Sequence, residues 1–187
     1  TATDLVLYVT QILRKHGVSV SALLADPDYA TPTKRRILAG SAHTRKQQIV
    51  RLDRGDRGVP LQSGLKRRLL AAARAARRRG DAVLLADYGY GAIDPTWPAA
   101  LGRGTGAVTL DSRFALDRFA GIDAATPNLE ELERAAGRHL GDDDEAAINA
   151  AGETLRRRIG CTALLATRGS RGMTLIERGK APARIAV

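Results

Sequence analysis

After residue 60 the chain sets short apolar runs between helix-patterned segments, and three of these runs, VLLAD at 83–87, AVTLD at 107–111 and CTALLAT at 161–167, close on a polar residue. Apolar runs of that length suit strands buried in a sheet, and strands that alternate with helices pair mostly in parallel. The fold class expected is therefore α/β. The reading along the chain is helix 61–79, strand 82–86, helix 95–102, strand 106–110, a short connection and strand 122–126. Helices at about 128–138 and 143–158 then precede strand 161–167 and a returning strand 173–178. Pro98 is expected to end or bend the helix at 95–102, while Gly80 and Gly160 close helices just before strands.

The first 56 residues read differently. Apolar residues at 5, 6, 9, 12 and 13 give a helix from Leu5 to His16, and Gly17 supplies its stop. Val18 to Leu24 follows, then TPTKRRILAG at 31–40 and QQIVRLDRG at 47–55, joined by a polar turn containing Gly40, Ser41 and His43. No helix separates these two runs, so they form an antiparallel hairpin. The expected organisation is a helix at 1–17 that belongs to the α/β body, a small β extension at 18–56, and the main body at 57–187.

With 187 residues, 44% of them hydrophobic, the chain can bury one full core. No apolar run reaches the roughly 18 residues of a membrane-spanning helix. No basic-then-apolar leader opens the chain, and Cys161 is the single cysteine, so a cytoplasmic enzyme is the expectation. The formal charge of +10 raises the question of nucleic acid. Lys66-Arg67-Arg68 and Arg77-Arg78-Arg79, however, fall at the two ends of one amphipathic helix and read as its solvated face. Aromatic residues make up 4% of the chain, too few for interleaved base-stacking platforms, so no nucleic-acid partner is expected. His16 and His43 have no metal-like partners, and Trp97 beside Pro98 reads as packing.

Two motifs carry the chemistry. TPNLEELE at 126–133 and ATRGSRGM at 166–173 each follow a strand-like run, so both sit at carboxyl ends of strands, where open α/β sheets bind ligands. Asn128 and Glu131 lie three apart at a helix start, so an amide and a carboxylate can face one spot. Thr167, Gly169 and Gly172 offer a hydroxyl and unobstructed backbone N–H groups, equipment for a nucleotide and its metal. The bland alternatives are a capping box between Asn128 and Glu131 and a tight glycine turn at 167–172. A second phosphate-type loop 39 residues after the first favours the ligand reading, because a helix cap needs no such partner. Arg168 or Arg171 can match phosphate oxygens with its guanidinium fork, or simply be exposed. Asp87 and Asp111 end VLLAD and AVTLD on the same sheet edge, facing either a ligand or loop N–H groups. On the hairpin, alternation puts Lys34 and Arg36 on one face, and likewise Arg51 and Asp53.

The order Asp87-Tyr88-Gly89-Tyr90-Gly91, Asp111-Ser112-Arg113, Thr126-Pro127-Asn128-Leu129-Glu130-Glu131 and Thr167-Arg168-Gly169-Ser170-Arg171-Gly172 resembles the ribokinase-like (PfkB) sugar kinases. Within that family the segments ADYGYGAI and TPTKRRILAG…QQIVRLDR are similar to the kinase domain of bacterial ADP-heptose synthase. The resemblance implies a mostly parallel sheet flanked by helices, with the hairpin as an antiparallel β lid over the sugar and a homodimer surface. It implies ATP and Mg²⁺ as cofactors and a sugar phosphate as substrate: heptose 7-phosphate, phosphorylated on its anomeric hydroxyl for ADP-heptose, a precursor of lipopolysaccharide or another surface glycan. Another sugar acceptor, or a catalytically dead binding relative, stays open.

The resemblance also distributes roles. Asn128 and Glu131 order Mg²⁺ and its waters, Thr167, Arg168, Gly169 and Gly172 hold nucleotide phosphates, and Arg113 keeps a cation where the family often has Lys. Lys34, Arg36, Arg51, Asp53, Asp87 and Asp111 border the sugar. Tyr90 departs from the Lys common in the heptose kinases. The family's glycine-rich segment with the general-base Asp, and its amino-terminal sugar motif, fall outside residues 1–187, so no catalytic base is assigned within them. The base is expected beyond Val187, in a longer kinase that in bifunctional relatives carries an adenylyltransferase domain.

Overall fold

The computed structural model describes residues 2–26, 29, 31–40, 46–55, 61–80, 82–102 and 104–186; Ser41 and His43 of the expected turn lie outside the described residues. The chain divides into two compact units, Thr1–Val59 and Pro60–Val187. The first contains helix α1 (Ala2–Lys15) and an antiparallel hairpin of β1 (Thr33–Ala39) and β2 (Gln47–Arg54). Gly17 takes the left-handed φ of 71° that an L side chain resists. The N–H groups of Gly17 and Val18 close back on the carbonyls of Arg14 and Leu13 at 3.0 and 2.9 Å, which ends α1 where the sequence places its stop.

The hairpin register joins the two charged pairs. Lys34 lies opposite Asp53 and Arg36 opposite Arg51, so all four share one face, while Arg35, Leu52, Ile37 and Val50 share the other. Arg51 pairs with Asp53 at 3.0 Å on that charged face. A register shift between Ile37 and Leu38 then changes the pairing toward the turn. Every residue of both strands is exposed.

The second unit is built on one six-stranded sheet with the order β3 (Val83–Asp87), β4 (Val108–Ser112), β5 (Ala124–Ala125), β6 (Ala163–Thr167), β7 (Met173–Glu177), β8 (Ala183–Ile185). The first four strands are parallel, and β7 and β8 return antiparallel. Helices α2 (Ser63–Arg78), α3 (Trp97–Leu101), α4 (Leu129–Ala136) and α5 (Glu145–Ile159) fill the connections, so the observed class is the α/β architecture read from the sequence. Alternation on β3 and β4 buries Val83, Leu85, Val108 and Leu110 on one face, which packs with Trp97, Phe119 and Leu132, while Ile148 and Leu155 of α5 and Leu164 and Ile176 of β6 and β7 continue the same core. Each such side chain contributes roughly 1.5–3 kcal/mol by leaving water. Trp97, 2% exposed, is packing as its sequence context suggests.

Pro98 corrects one expectation. Rather than ending or bending a helix over 95–102, it lies in the first turn of the short α3, where its missing N–H costs nothing. The basic clusters of α2 are only partly a solvated face. Arg67, Arg68, Arg78 and Arg79 are exposed, but Lys66 pairs with Asp94, and Arg77 donates to the carbonyls of Gly102 and, at 3.3 Å, Gly106.

Candidate functional site

The four parallel strands run in sequence order, so their carboxyl ends line up at a single edge. Asp87 sits beside Ser112, Leu110 beside Ala125, Ala125 beside Leu164, and a bridge links Asn128 to Thr167. Over this edge opens a cleft of about 490 Å³ whose lining includes Tyr88, Asp111, Arg113, Asn128, Glu131 and Thr167. Residues from four separate motifs, up to 79 positions apart by number, are thus gathered by strand register alone.

At the start of α4 the capping box is formed. Asn128 Oδ1 accepts the N–H of Glu131 at 2.9 Å, and Glu131 Oε2 accepts the N–H of Asn128 at 2.9 Å. These bonds satisfy two orphan donors of the helix and fix both side chains in the wall of the cleft. Glu131 Oε1 makes no hydrogen bond among the described residues, so one carboxylate oxygen remains to serve a ligand. The cap therefore does not exclude a ligand at this pair.

The segment 167–172 is a tight turn between β6 and β7, one 3₁₀ turn long over Gly169–Arg171. Arg168 N–H donates to Gly172 O at 2.8 Å, Arg171 N–H to Arg168 O at 3.0 Å and Gly172 N–H to Gly169 O at 3.2 Å. The exposed Gly169 and Ser170 are left with N–H groups that bond to nothing among the described residues, and these are the amides a phosphate can meet. Gly172 has φ 85°, and a Cβ there would stand 2.1 Å from Ile185 O, so the strand β8 can lie against the turn only because this residue is glycine.

Other expected residues are placed elsewhere. Asp87 is buried, with Oδ1 accepting from Gly89 N–H and Oδ2 from Ser112 Oγ, each at 2.9 Å, and it is not part of the cleft lining. Arg168 is buried as well. Its guanidinium donates to Asp142 O at 2.6 Å, reaches Thr174 Oγ1 at 3.5 Å and lies 3.6 Å from Glu145, while its Nε has no partner among the described residues. Arg171 pairs with Asp143, so the acidic segment 142–145 leading into α5 anchors this turn through two arginines, Arg168 and Arg171, while Arg184 of β8 pairs with Glu145 at 2.8 Å. Lys34, Arg36, Arg51 and Asp53 belong to the first unit and are described there by themselves.

The motifs give four lining residues no role: Tyr88, Thr126 and Glu130 inside the motif segments, and Arg134 just past one of them. Tyr88 donates to Asp111 Oδ2 at 3.1 Å, and that bond together with the Asp111 charge holds its phenol above the usual tyrosine range. Arg134 follows Glu131 by three positions and Glu130 by four, one helical turn, so helix periodicity alone puts it on the same face.

The donors fit Mg²⁺ in one particular way. Among the described residues no group of three or more His, Cys, Asp or Glu side chains could hold a metal ion. Mg²⁺ dehydrates reluctantly and is commonly held by one or two carboxylates plus phosphate oxygens and water, a demand that Glu131 and Asp111 at the cleft wall can meet. Asn128 has its oxygen spent on the cap, and so is placed to orient Glu131.

Parallel strands in sequence order, a cleft on their carboxyl edge and an antiparallel return make up a ribokinase-like fold, which the chain shares with solved sugar kinases. In sequence the chain is similar to the bifunctional HldE proteins: 38% identical over 162 residues to that of Nitrosococcus oceani, covering 85% of this chain and 32% of that protein. It is 36% identical over 176 residues to the HldE protein of Pelobacter propionicus, covering 91% of this chain and 34% of that protein. The chain thus spans about a third of the length of these relatives. Its fold matches Arabidopsis thaliana ribokinase complexed with ribose and ATP at a TM-score of 0.57 and 20% identity, over 86% of this chain and 49% of that one. Escherichia coli phosphofructokinase-2 in complex with potassium matches at a TM-score of 0.59 and 15% identity, over 73% and 46%. No family model matches the chain. The resemblance read from the motifs is borne out by these relatives. Among the described residues no helix is long and apolar enough to cross a membrane.

Proposed function

We propose that this chain is part of an ATP- and Mg²⁺-dependent sugar kinase that phosphorylates heptose 7-phosphate at its anomeric hydroxyl, a step toward ADP-heptose. The observation that carries the reading is the convergence of Asp111, Arg113, Asn128, Glu131 and Thr167 on one cleft at the carboxyl edge of parallel strands. Similarity to the HldE proteins supports the choice of acceptor.

When bound, Mg²⁺-ATP supplies the phosphoryl group and part of the neutralisation of its charge. Glu131, held by the Asn128 backbone, presents Oε1 toward the cation, and Asp111 adds a second carboxylate. Thr167 and the amides of Gly169 and Ser170 orient phosphate oxygens, while Arg113 opposes their charge. Phosphoryl transfer is governed mainly by such positioning. No residue among those described is assigned as the general base on the acceptor hydroxyl. The resemblance supports a lid and dimer role for the hairpin, and a sugar-binding role for Lys34, Arg36, Arg51 and Asp53, which share one of its faces. The compartment that suits this chemistry is the cytoplasm.

The test is an ADP-release assay on the intact protein with Mg²⁺-ATP and a panel of sugars. Mg²⁺-dependent turnover of heptose 7-phosphate is the expected result. Turnover of a different sugar alone removes the substrate and spares the class. Nucleotide binding without turnover of any acceptor overturns the kinase and leaves a binding module.

A further inference from the structure

We propose that Arg134, together with Arg113, forms a two-guanidinium clamp for a phosphate group at the wall of the cleft; this rests on the phosphoryl-transfer reading of the same site. Arg113 follows β4, its backbone pinned by a hydrogen bond from its N–H to Asp87 O at 3.0 Å. Arg134 comes from α4, one turn past Glu131. Both guanidiniums lie against the ring of Phe114, at 5.3 and 5.6 Å from its centroid, and Arg134 Nη1 also donates to Arg113 O. The ring and the carbonyl therefore hold both residues at Phe114, and both line the cleft.

The charges are disposed for a ligand. Arg113 lines the cleft and makes no ion pair among the described residues. Arg134 pairs at 2.8 Å with Glu130, whose side chain is 73% exposed, and an exposed pair of this kind is weak and easily exchanged. Asp111 and Glu131 line the same cleft. A cleft lined by both carboxylates and guanidiniums suits a metal-bound phosphate, whose cation and oxygens need both signs. Guanidinium forks are the side chains best matched to phosphate geometry. The phosphate belongs either to the nucleotide or to the phosphorylated sugar, since both present the same group.

Calorimetric titration of the intact protein, as wild type and as Arg134→Met, Arg134→Lys and Glu130→Gln, tests the clamp with Mg²⁺-ADP, adenosine, heptose 7-phosphate and pyrophosphate as probes. The expected result is a loss of about tenfold or more in affinity for one phosphorylated probe in Arg134→Met, with partial recovery in Arg134→Lys. Loss on Mg²⁺-ADP with adenosine unchanged assigns the nucleotide phosphates, and loss on heptose 7-phosphate alone assigns the sugar phosphate. Glu130→Gln frees Arg134 and is expected to bind that probe as tightly as wild type or more so. A purely structural Arg134–Glu130 pair makes both substitutions weaken binding alike, and that result overturns the clamp. Unchanged affinities in Arg134→Met, while wild type binds Mg²⁺-ADP, overturn the clamp and keep the kinase. Pyrophosphate binding that depends on Arg134, without binding of nucleotide, keeps the clamp and removes the kinase. No binding of any phosphorylated probe removes both.

Discussion

Tyr88 and Asp111, 23 positions apart, are joined at 3.1 Å by a hydrogen bond from the phenol to Oδ2 across the ends of β3 and β4. The bond favours the protonated phenol, and the neighbouring carboxylate charge disfavours phenolate, so both push the Tyr88 pKa up. A group whose folded pKa is raised contributes stability in full below its unfolded pKa and loses it as pH climbs through the folded value. The contribution of this pair is therefore intact at neutral pH and disappears in the alkaline range above about 10, the ordinary tyrosine value. Asp111→Asn is expected to move one tyrosine of the ultraviolet titration toward lower pH, and an unchanged titration counts against the bond.

Glu153 contributes at the opposite end of the pH scale. It receives Arg156 Nη2 at 2.7 Å and Nε at 2.7 Å, and Arg157 at 2.6 Å, and these bonds, Arg156 first, lower its pKa from 4.5 to about 2. With a depressed folded pKa, the stabilisation is present above about pH 4.5 and is lost as pH falls through about 2. Glu153→Gln should flatten the acid limb of the stability curve across that window. Glu153→Ala should cost more, roughly 2 kcal/mol at neutral pH, because it strands the buried guanidinium of Arg156. Thermal melts of the two variants between pH 2 and 7 check both expectations.

The alternation of helix and strand is legible in the sequence wherever an element carries its own signal. VLLAD and CTALLAT are strands by apolar content, α5 by its periodicity, and the end of α1 by Gly17. The pairing of the hairpin follows from two β-patterned runs with no helix between them. β8 is illegible for the converse reason: Ala183–Ile185 is short and exposed, and it is a strand because the edge of β7 offers it partners. Pro98 misleads because proline breaks a helix interior yet suits a first turn, and only the true start of α3 decides between them. At the site, the motifs assign roles to Asn128, Glu131 and Thr167 but none to Tyr88, which a motif contains, or to Arg134, and these two enter the cleft through register and helix periodicity. Nor does the sequence show that the buried guanidinium of Arg168 is engaged by Asp142 and Thr174, an outcome set by the tertiary position of α5.

The turn whose amides are proposed to meet phosphate depends on Gly172. Its φ of 85° disfavours any L side chain, and a Cβ there would stand 2.1 Å from the backbone oxygen of Ile185, which cannot swing aside as a flexible side chain does. Gly172→Ala should therefore cost about 1–3 kcal/mol for the backbone conformation alone, with displacement of β8 in addition. The expected readout is a lower melting temperature with faster amide exchange at 183–185. A melting curve superposable on wild type counts against the close approach.

Glu131 offers the cleanest separation of scaffold from chemistry, because its two oxygens have different tasks. Oε2 completes the capping box with Asn128, and Oε1 is the oxygen assigned to the cation. Glutamine also serves at the third position of a capping box, so Glu131→Gln can keep the hydrogen bond to the Asn128 backbone while removing the negative charge. The expected outcome is stability within about 0.5 kcal/mol of wild type, the usual range for substitutions that break no structural feature. Mg²⁺-dependent turnover of the intact protein should fall by roughly 10² or more, on the scale of losing one electrostatic contact to a transition state. Glu131→Ala removes both functions and should additionally cost about 1 kcal/mol of stability, as a lost cap does. If Glu131→Gln melts and turns over as wild type does while Glu131→Ala is merely less stable, the residue is a helix cap and the metal must be held elsewhere.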